Sequence, residues 1–335
     1  MKSILFGLFM LLAIPLFASR ILIPMDESQS NHLKAYGVTF WVLGNGVEAD
    51  WLLNYRGGSF MFKNIPTIEN ECIVRGVSYQ IIADVQAAQI LDEISDPEVN
   101  MEMVKLEVVP RVAVYSPAGK LPWDDAVTLV LTYAEIPYDI VYDEEVLTGV
   151  LPKYDWLHLH HEDFTGQFGK FYKAYRTATW YQDEVDSQNA SAQIMGFQKV
   201  SEMKREVGVT IRNFVLGGGF LFTMCSGTDS YDISLAAQEV DICEAMFDGD
   251  PAESQASSKL DYTEGLAFQD YNLEMDPLVY EFSNIDGTKD HAKIKPINDF
   301  FTLFDFSAKW DIVPTMLTQN HLRVISGFMG QTTSF

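Results

Sequence analysis

Short apolar runs typical of strands alternate with runs at helical spacing from residue 20 to about residue 245 of this 335-residue chain. Such alternation is the pattern of α/β proteins, in which helices between the strands cover the sheet. The strand-like runs after Pro110 are short, and the last of them is strongly apolar, as in strands buried on both faces of a parallel sheet. The sequence therefore predicts an α/β fold whose second part is a doubly wound, mostly parallel sheet.

Changes in composition divide the chain into segments. We expect a smaller α/β unit over residues 20–105, and we interpret the stretch "SDPEVNMEMVKLEVVP" as the linker that leads out of it. An α/β domain is expected over residues 110–250, with a C-terminal extension of the same domain over residues 251–335. The final "GFMGQTTSF" shows no closing helix, so the domain is expected to continue beyond this sequence.

Four runs in the second domain are expected to be strands, and a long aromatic-rich insertion separates the last two. The strand-like runs are "RVAVYSP", "YDIVYDEEV", "YDWLHLHHED" and "GFLFTMC". The insertion begins at Phe164 and carries aromatic residues through Tyr181. Three interpretations of it stay open: a lid over the strand ends, a sugar-stacking surface, or a loop packed on the core.

The first 19 residues have the layout of an export signal. Lys2 gives a positive start, an apolar run follows over residues 4–17, and Ala18 and Ser19 are small. The apolar run is too short to span a bilayer comfortably. We therefore expect cleavage near Ser19, no stable membrane insertion afterwards, and a periplasmic or extracellular location.

The charge of the chain excludes one class of partner. Asp and Glu number 47 against 23 Lys and Arg, which gives a formal net charge of -24. Such an acidic protein repels phosphate backbones and anionic membrane surfaces. We expect no nucleic-acid partner and instead a small-molecule, peptide or glycan ligand.

Cys225 stands between the strand-like "GFLFTMC" and the helix-like "TDSYDISLAAQEV". A strand-to-helix turn exposes a nucleophile, and the amino end of a helix favours a thiolate. We expect Cys225 to be catalytic, with Ser226, Gly227 and Asp229 binding the substrate. The alternative is an inert thiol, since the chain has three cysteines and at least one must stay free or pair between chains.

Polar residues follow the strand-like "YDWLHL" and form a second candidate cluster. We expect His160, His161 and Glu162 to be catalytic and Asp163 to bind substrate, because the carboxyl ends of parallel strands meet at one edge of a sheet. On a strand, His158 shares a face with His160 and Glu162, which suggests a metal site, but this spacing is not diagnostic. No metal or cofactor is predicted.

The second domain resembles the class I glutamine amidotransferase-like fold, a flavodoxin-like sheet with a cysteine elbow. The resemblance covers about residues 110–245 and rests on "YDWLHLHHED", a following helix and "GGGFLFTMCSG". The family motif G-x-C-x-G matches residues 223–227, with Thr223 in the first glycine position. The resemblance implies a nucleophilic Cys225 and a catalytic histidine downstream, for which His291 and His321 are candidates; the histidines before the elbow are the alternative.

Nearly the whole chain resembles an exported bacterial family carried under the name asparagine synthetase B. The matching stretches include "ILIPMDESQSNHLKAYG", "DWLLNYRGGSF", "YDWLHLHHEDFTGQFGKFY" and "SAKWDIVPTMLTQNH". Glutamine-hydrolysing asparagine synthetases use an amino-terminal cysteine and an S-G-G-x-D-S pyrophosphate loop. Here residue 2 is Lys2, and the stretch from Ser226 to Ser230 is one glycine short, so synthetase activity is disfavoured.

Two classes of function stay open. The first is a cysteine-dependent hydrolase or transferase that acts on an amide or related small substrate. The second is a non-catalytic envelope domain that keeps the pocket of the fold for a ligand. Thr223 and the lack of an H-x-E motif favour the second class, whereas an exposed Cys225 within reach of His160 or His161 would favour the first.

Overall fold

The computed structural model describes residues 19–117, 126–285, 300–302, 308–309 and 324–326. These residues form two compact units, one within residues 19–108 with 308–309, and the other within residues 109–302 with 324–326. The α/β class predicted from the sequence is confirmed. None of the described helices has the length and apolar character that crossing a membrane requires.

In its described residues, the first unit has a five-stranded sheet and three α-helices. Its strands are β1 (Ser19–Ile23), β2 (Ala49–Leu53), β3 (Ser59–Lys63), β4 (Gln80–Ala83) and β5 (Glu102–Leu106), in the order β4-β1-β3-β2-β5. Its helices are α1 (His32–Gly44), α2 (Pro66–Arg75) and α3 (Asp84–Ser95). Every pairing in this sheet is antiparallel, which the alternation of strands and helices did not predict.

The stretch interpreted as a linker is in part a strand. Residues 102–106 form β5, which pairs with β2 so that Val104 lies opposite Trp51. Met101 and Met103 pack on the core cluster that contains Leu52. The linker interpretation was wrong for these residues because β5 is an edge strand, and edge strands carry charged residues that resemble a loop in sequence.

The second unit contains a four-stranded parallel sheet. The structure has these elements in chain order: β6 (Val112–Tyr115), α4 (Ala126–Ala134), β7 (Tyr138–Val141), α5 (Asp143–Leu147), β8 (Trp156–Leu159), α6 (Tyr172–Tyr175), α7 (Thr179–Ile194), α8 (Val200–Leu216), β9 (Phe220–Thr223), α9 (Ser226–Ala236), α10 (Ala245–Asp248), β10 (Phe300–Thr302) and β11 (Val324–Ser326). The parallel sheet has the order β7-β6-β8-β9, and β10 pairs with β11 in a separate antiparallel ribbon.

The run "YDIVYDEEV" is shorter as a strand than the sequence predicts. Strand β7 ends at Val141, and helix α5 begins at Asp143. The Glu145 side chain accepts the Tyr142 backbone N–H at 3.0 Å, and three acidic residues occupy the first turn of the helix. These are the features of a helix amino end, and they override the strand preference of the preceding residues.

The core of the second unit lies on both faces of the sheet. On one face, Tyr115 and Leu157 pack in a cluster with Val207 and Ile211 of α8 and with Leu235 of α9. On the other face, Val112 and Val114 pack against Leu131 of α4. Alternate residues of β6 therefore point to opposite layers, as the side chains of a strand must.

Candidate functional site

Cys225 occupies a sharp turn between strand β9 and helix α9. Its φ of 53° and ψ of -147° lie outside the regions that residues with a side chain favour. Its side chain is exposed, whereas the other two cysteines are buried. The sequence prediction of a strand-to-helix elbow at Cys225 therefore agrees with the local backbone.

The turn at Cys225, which we call the elbow, is hydrogen-bonded to the loop that follows β8. Strands β8 and β9 are neighbours, with Leu159 opposite Thr223. The Gly227 backbone N–H donates to the His160 carbonyl oxygen at 2.8 Å, and the Ser226 hydroxyl donates to the His161 carbonyl oxygen at 3.2 Å. The structure thus brings the two predicted clusters together at the carboxyl edge of the sheet.

The three histidines after Trp156 have different environments. His158 is 2% exposed and stacks on Phe222 with ring centroids 5.6 Å apart, so it packs within the sheet. His160 and His161 are partly exposed, and their rings lie 4.3 Å apart. His160 and His161 are therefore the imidazoles of this cluster that reach the edge of the site.

We call the loop after β8, which carries His160 and His161, the histidine loop. Glu162 anchors this loop through hydrogen bonds. Its side chain is 2% exposed, and Oε2 accepts the His160 backbone N–H at 2.9 Å. The Glu162 carbonyl oxygen accepts a hydrogen bond from the Ser230 hydroxyl at 2.8 Å. Glu162 therefore joins the loop after β8 to helix α9.

Asp163 and Asp229 lie beneath the surface. One carboxylate oxygen of Asp163 accepts the Thr165 backbone N–H at 2.6 Å, and the other accepts the Gly169 backbone N–H at 2.9 Å. Asp229 is 2% exposed in the first turn of α9, where the helix dipole favours a negative charge. These positions suit residues that shape the loop and the helix start.

A buried polar network, which the sequence analysis did not predict, lies under the same edge of the sheet. The Lys204 ammonium is 2.8 Å from Asp143 Oδ2 and 3.1 Å from the hydroxyls of Tyr115 and Tyr142. The Tyr115 hydroxyl also donates to Asp143. Burial raises the pKa of both tyrosines well above the usual range, so they stay neutral donors and acceptors. This network ties the ends of β6 and β7 to helix α8.

The described residues hold one group whose donor atoms converge as a metal site requires: Asp241, Cys243 and Asp248. The Lys199 ammonium already lies 3.1 Å from Asp241 and 3.2 Å from Asp248. The Cys243 thiol is buried and donates to the Thr165 carbonyl oxygen. The two carboxylates are thus already paired with Lys199, and the thiol already has a hydrogen-bond partner, so we interpret this group as an ion-pair cluster. The histidines and Glu162 do not converge in this way within the described residues.

Two larger cavities of the second unit lie away from Cys225. One of about 490 Å³ is lined by residues between Tyr262 and Ile285, and one of about 540 Å³ lies at the amino ends of β6 and β8, beside Arg111 and Asp155. Cavity size alone would favour them, but neither is lined by a cysteine or a histidine. The downstream candidates His291 and His321 lie outside the described residues.

Comparisons with protein-family models, with curated proteins and with solved structures found no match for this chain.

Proposed function

We propose that the second unit is a cysteine-dependent hydrolase or transferase that acts on an amide or related small substrate, with Cys225 as the nucleophile. The observation that carries this proposal is the left-handed backbone of an exposed cysteine at a strand-to-helix turn. Such a conformation costs free energy and persists only where the surroundings enforce it, and residues of this kind concentrate at active sites.

The topology supports the location of the site. The order β7-β6-β8-β9 corresponds to the first four strands of a flavodoxin-like sheet, which is the basis for proposing a doubly wound, amidotransferase-like fold. In open α/β sheets, ligands bind at the carboxyl ends of the strands, beside the point where the strand order reverses. That point lies between β6 and β8, and the loop with His160 and His161 begins at the end of β8.

The proposed reaction is a two-step acyl transfer. The Cys225 thiolate attacks the carbonyl carbon of the substrate, the C–N bond breaks, and the amine leaves with a proton from the imidazolium of His160 or His161. Water, or an acceptor amine in a transferase, then attacks the thioester, and the thiol is released. Ser226 is the first residue of α9, so its N–H has no carbonyl partner within the helix and suits a developing oxyanion.

The neighbouring residues receive supporting roles in this proposal. Glu162 positions His160 through the hydrogen bond to its backbone, and Ser226 and Gly227 hold the elbow against the histidine loop. Asp163 shapes the following loop, and Asp229 stabilises the start of α9. The substrate would then meet Cys225 and the two partly exposed imidazoles.

We also propose export to the periplasm or the extracellular space, on the basis of the amino-terminal sequence alone. Membership of the exported family carried under the name asparagine synthetase B is a further proposal, and it rests on the quoted sequence stretches. It does not extend to synthetase activity, since the amino-terminal cysteine of those enzymes is replaced by Lys2.

The test is alkylation of the folded, reduced protein with iodoacetamide from about pH 5 to 9, with labelled sites identified by mass spectrometry. Cys72 and Cys243 are buried internal controls, and burial raises the pKa of Cys72 to about 12. The proposal predicts fast labelling at Cys225 already at neutral pH, and no such fast phase in Cys225→Ser. Labelling of Cys225 no faster than a free thiol would overturn the thiol mechanism and favour a non-catalytic ligand-binding domain.

A further inference from the structure

The segment after the histidine loop has an unusual charge for this protein. Residues 164–182 contain no Asp or Glu, although the chain as a whole has a net charge of -24. The same segment contains Lys170, Lys173 and Arg176. The cationic stretch is short, since Asp183, Glu184 and Asp186 follow it, and an anion is favoured beside Lys173 and Arg176 over the rest of this acidic protein.

Two of these three cations are available to a ligand. The Lys170 ammonium is buried and donates to the Glu274 carbonyl oxygen. Lys173 and Arg176 are exposed, and neither forms an ion pair within the part of the chain that the structure describes. The Arg176 guanidinium donates to the Lys173 carbonyl oxygen at 2.9 Å and lies 5.8 Å from the centroid of the Tyr172 ring. These contacts orient the guanidinium without neutralising it.

Aromatic rings cluster in the same segment, and Tyr280 joins them. Phe171 is at the centre of the group, with ring centroids 5.8 Å from Tyr175, 5.8 Å from Trp180 and 5.4 Å from Tyr280. Tyr175 is 44% exposed and Tyr280 is 59% exposed. We call Phe171, Tyr175, Trp180 and Tyr280 the aromatic platform. Clustered rings that stay open to solvent mark a binding surface more often than isolated exposed residues do.

A groove of about 210 Å³ lies beside the platform, and Arg176 lines it. Tyr172, Tyr181 and Met246 contribute apolar surface, while Gln182 and Arg176 place polar groups at its rim. The remaining lining residues are Phe168, Val185 and Asp186. Apolar walls with a few polar groups are the composition of a small-ligand site.

The segment is held firmly at its start. Asp163 accepts hydrogen bonds from the backbone of Thr165 and Gly169. A Cβ atom on Gly166 would lie 2.6 Å from Ser201 Cα, so this loop packs directly on helix α8. The start of the segment is therefore fixed, which reduces the loop ordering that binding to the adjoining surface requires.

We propose that the aromatic platform and the adjoining groove bind an anionic glycan, such as a polysaccharide that contains uronic acids. Aromatic faces accept the apolar C–H faces of pyranose rings. The Arg176 guanidinium and the Lys173 ammonium bind the sugar carboxylates, and Gln182 and Asp186 accept hydrogen bonds from hydroxyls. Two cations and the overall negative charge are too little for a phosphate backbone. This site does not depend on the proposed chemistry at Cys225.

The experiment is calorimetric titration of the purified chain with a short galacturonic acid oligomer and with the same oligomer after methyl esterification. Esterification removes the charges but keeps the sugar rings. The proposal predicts binding of the charged oligomer, weaker binding at higher salt, and at least about tenfold weaker binding of the ester. Equal binding of the two oligomers, or binding of neither, would overturn it.

Matched variants locate the binding surface. Arg176→Gln and Tyr175→Ala each replace an exposed side chain of the site, and each should weaken binding of the charged oligomer at least about fivefold. Lys153→Gln and Tyr133→Ala replace exposed residues elsewhere in the second unit and should bind like the unmodified protein. Identical affinities in all four variants would contradict the proposal. So would tighter binding of polyglutamate than of the galacturonic acid oligomer, because the occupant would then be an acidic peptide.

Discussion

The backbone N–H of Gly227 donates to the carbonyl oxygen of His160 at 2.8 Å, and this hydrogen bond joins the cysteine elbow to the loop after β8. The two residues are 67 positions apart in the sequence, but they follow β8 and β9, which are neighbours in the sheet. Glycine is required here because a Cβ atom at position 227 would lie 2.4 Å from the same oxygen. The close approach therefore fixes where the histidines lie relative to Cys225.

Gly227→Ala should separate the elbow from the histidine loop. We expect a loss of about 1–3 kcal/mol in the free energy of unfolding of the second unit, since the backbone must move to admit the methyl group. Under the proposed function, the alkylation rate of Cys225 should also fall toward that of a free thiol. Chemical denaturation and iodoacetamide labelling measure the two effects.

Gly44→Ala is the matched control for that change. A Cβ atom at Gly44 would have no atom within 4 Å, so the same substitution should change stability by less than about 1 kcal/mol. An equal loss of stability in both variants would contradict the steric explanation.

Glu162→Gln tests whether the buried carboxylate acts through its charge or only through its shape. Glutamine keeps an oxygen that can accept the His160 N–H, which Glu162 now holds at 2.9 Å, but it removes the negative charge. We expect a folded variant whose Cys225 alkylation rate is lower by about tenfold, equivalent to about 1.4 kcal/mol, with an altered pH profile. The exposed Glu239→Gln is the control, and a pH profile unchanged in Glu162→Gln would leave Glu162 a purely structural role.

Lys204→Met should be among the most destabilising substitutions in the second unit. It leaves the Asp143 carboxylate buried without its cation, and breaking a buried pair in this way costs about 3–5 kcal/mol. Hydrogen exchange of the amides in β6, β7 and α8 measures this loss separately from the first unit. The double variant Lys204→Met, Asp143→Leu should recover much of the stability, and a double variant as unstable as the single one would contradict a charge-based cause.

Part of this fold could be predicted from the sequence. The strands β6, β8 and β9 are apolar runs between helical segments, so their positions and the parallel sheet followed from patterning. Strand β5 was missed because the register of an edge strand depends on its partner β2, which is far away in the chain. The antiparallel pairing of the first unit was missed for the same reason, because the relative direction of strands depends on which strands pair in the fold.

The location of the site could be predicted from the sequence, but its buried hydrogen bonds and ion pair could not. Sequence order alone placed Cys225 and His160 at strand ends on one edge of a sheet. It did not show that Asp163 turns inward to the backbone of the next loop, because local side-chain hydrogen bonds leave no periodic pattern. The Lys204–Asp143 pair was missed for a different reason: charged residues are normally read as exposed, and only packing shows that they are buried together.

Asp155 gives the second unit a predictable response to acid. Hydrogen bonds from the Arg111 guanidinium hold the pKa of the Asp155 carboxyl at about 2, below the value of about 3.9 in an unfolded chain. Because the folded-state pKa is depressed, the pair stabilises the folded state above about pH 4, and this stabilisation is lost as the pH falls toward about 2. Both side chains are exposed, so solvent screening should keep the contribution at neutral pH small. Denaturation of Asp155→Asn and the unmodified protein should show a small difference at pH about 6 that shrinks below about pH 4. A difference that stays constant across this range would mean that the carboxylate charge is not its source.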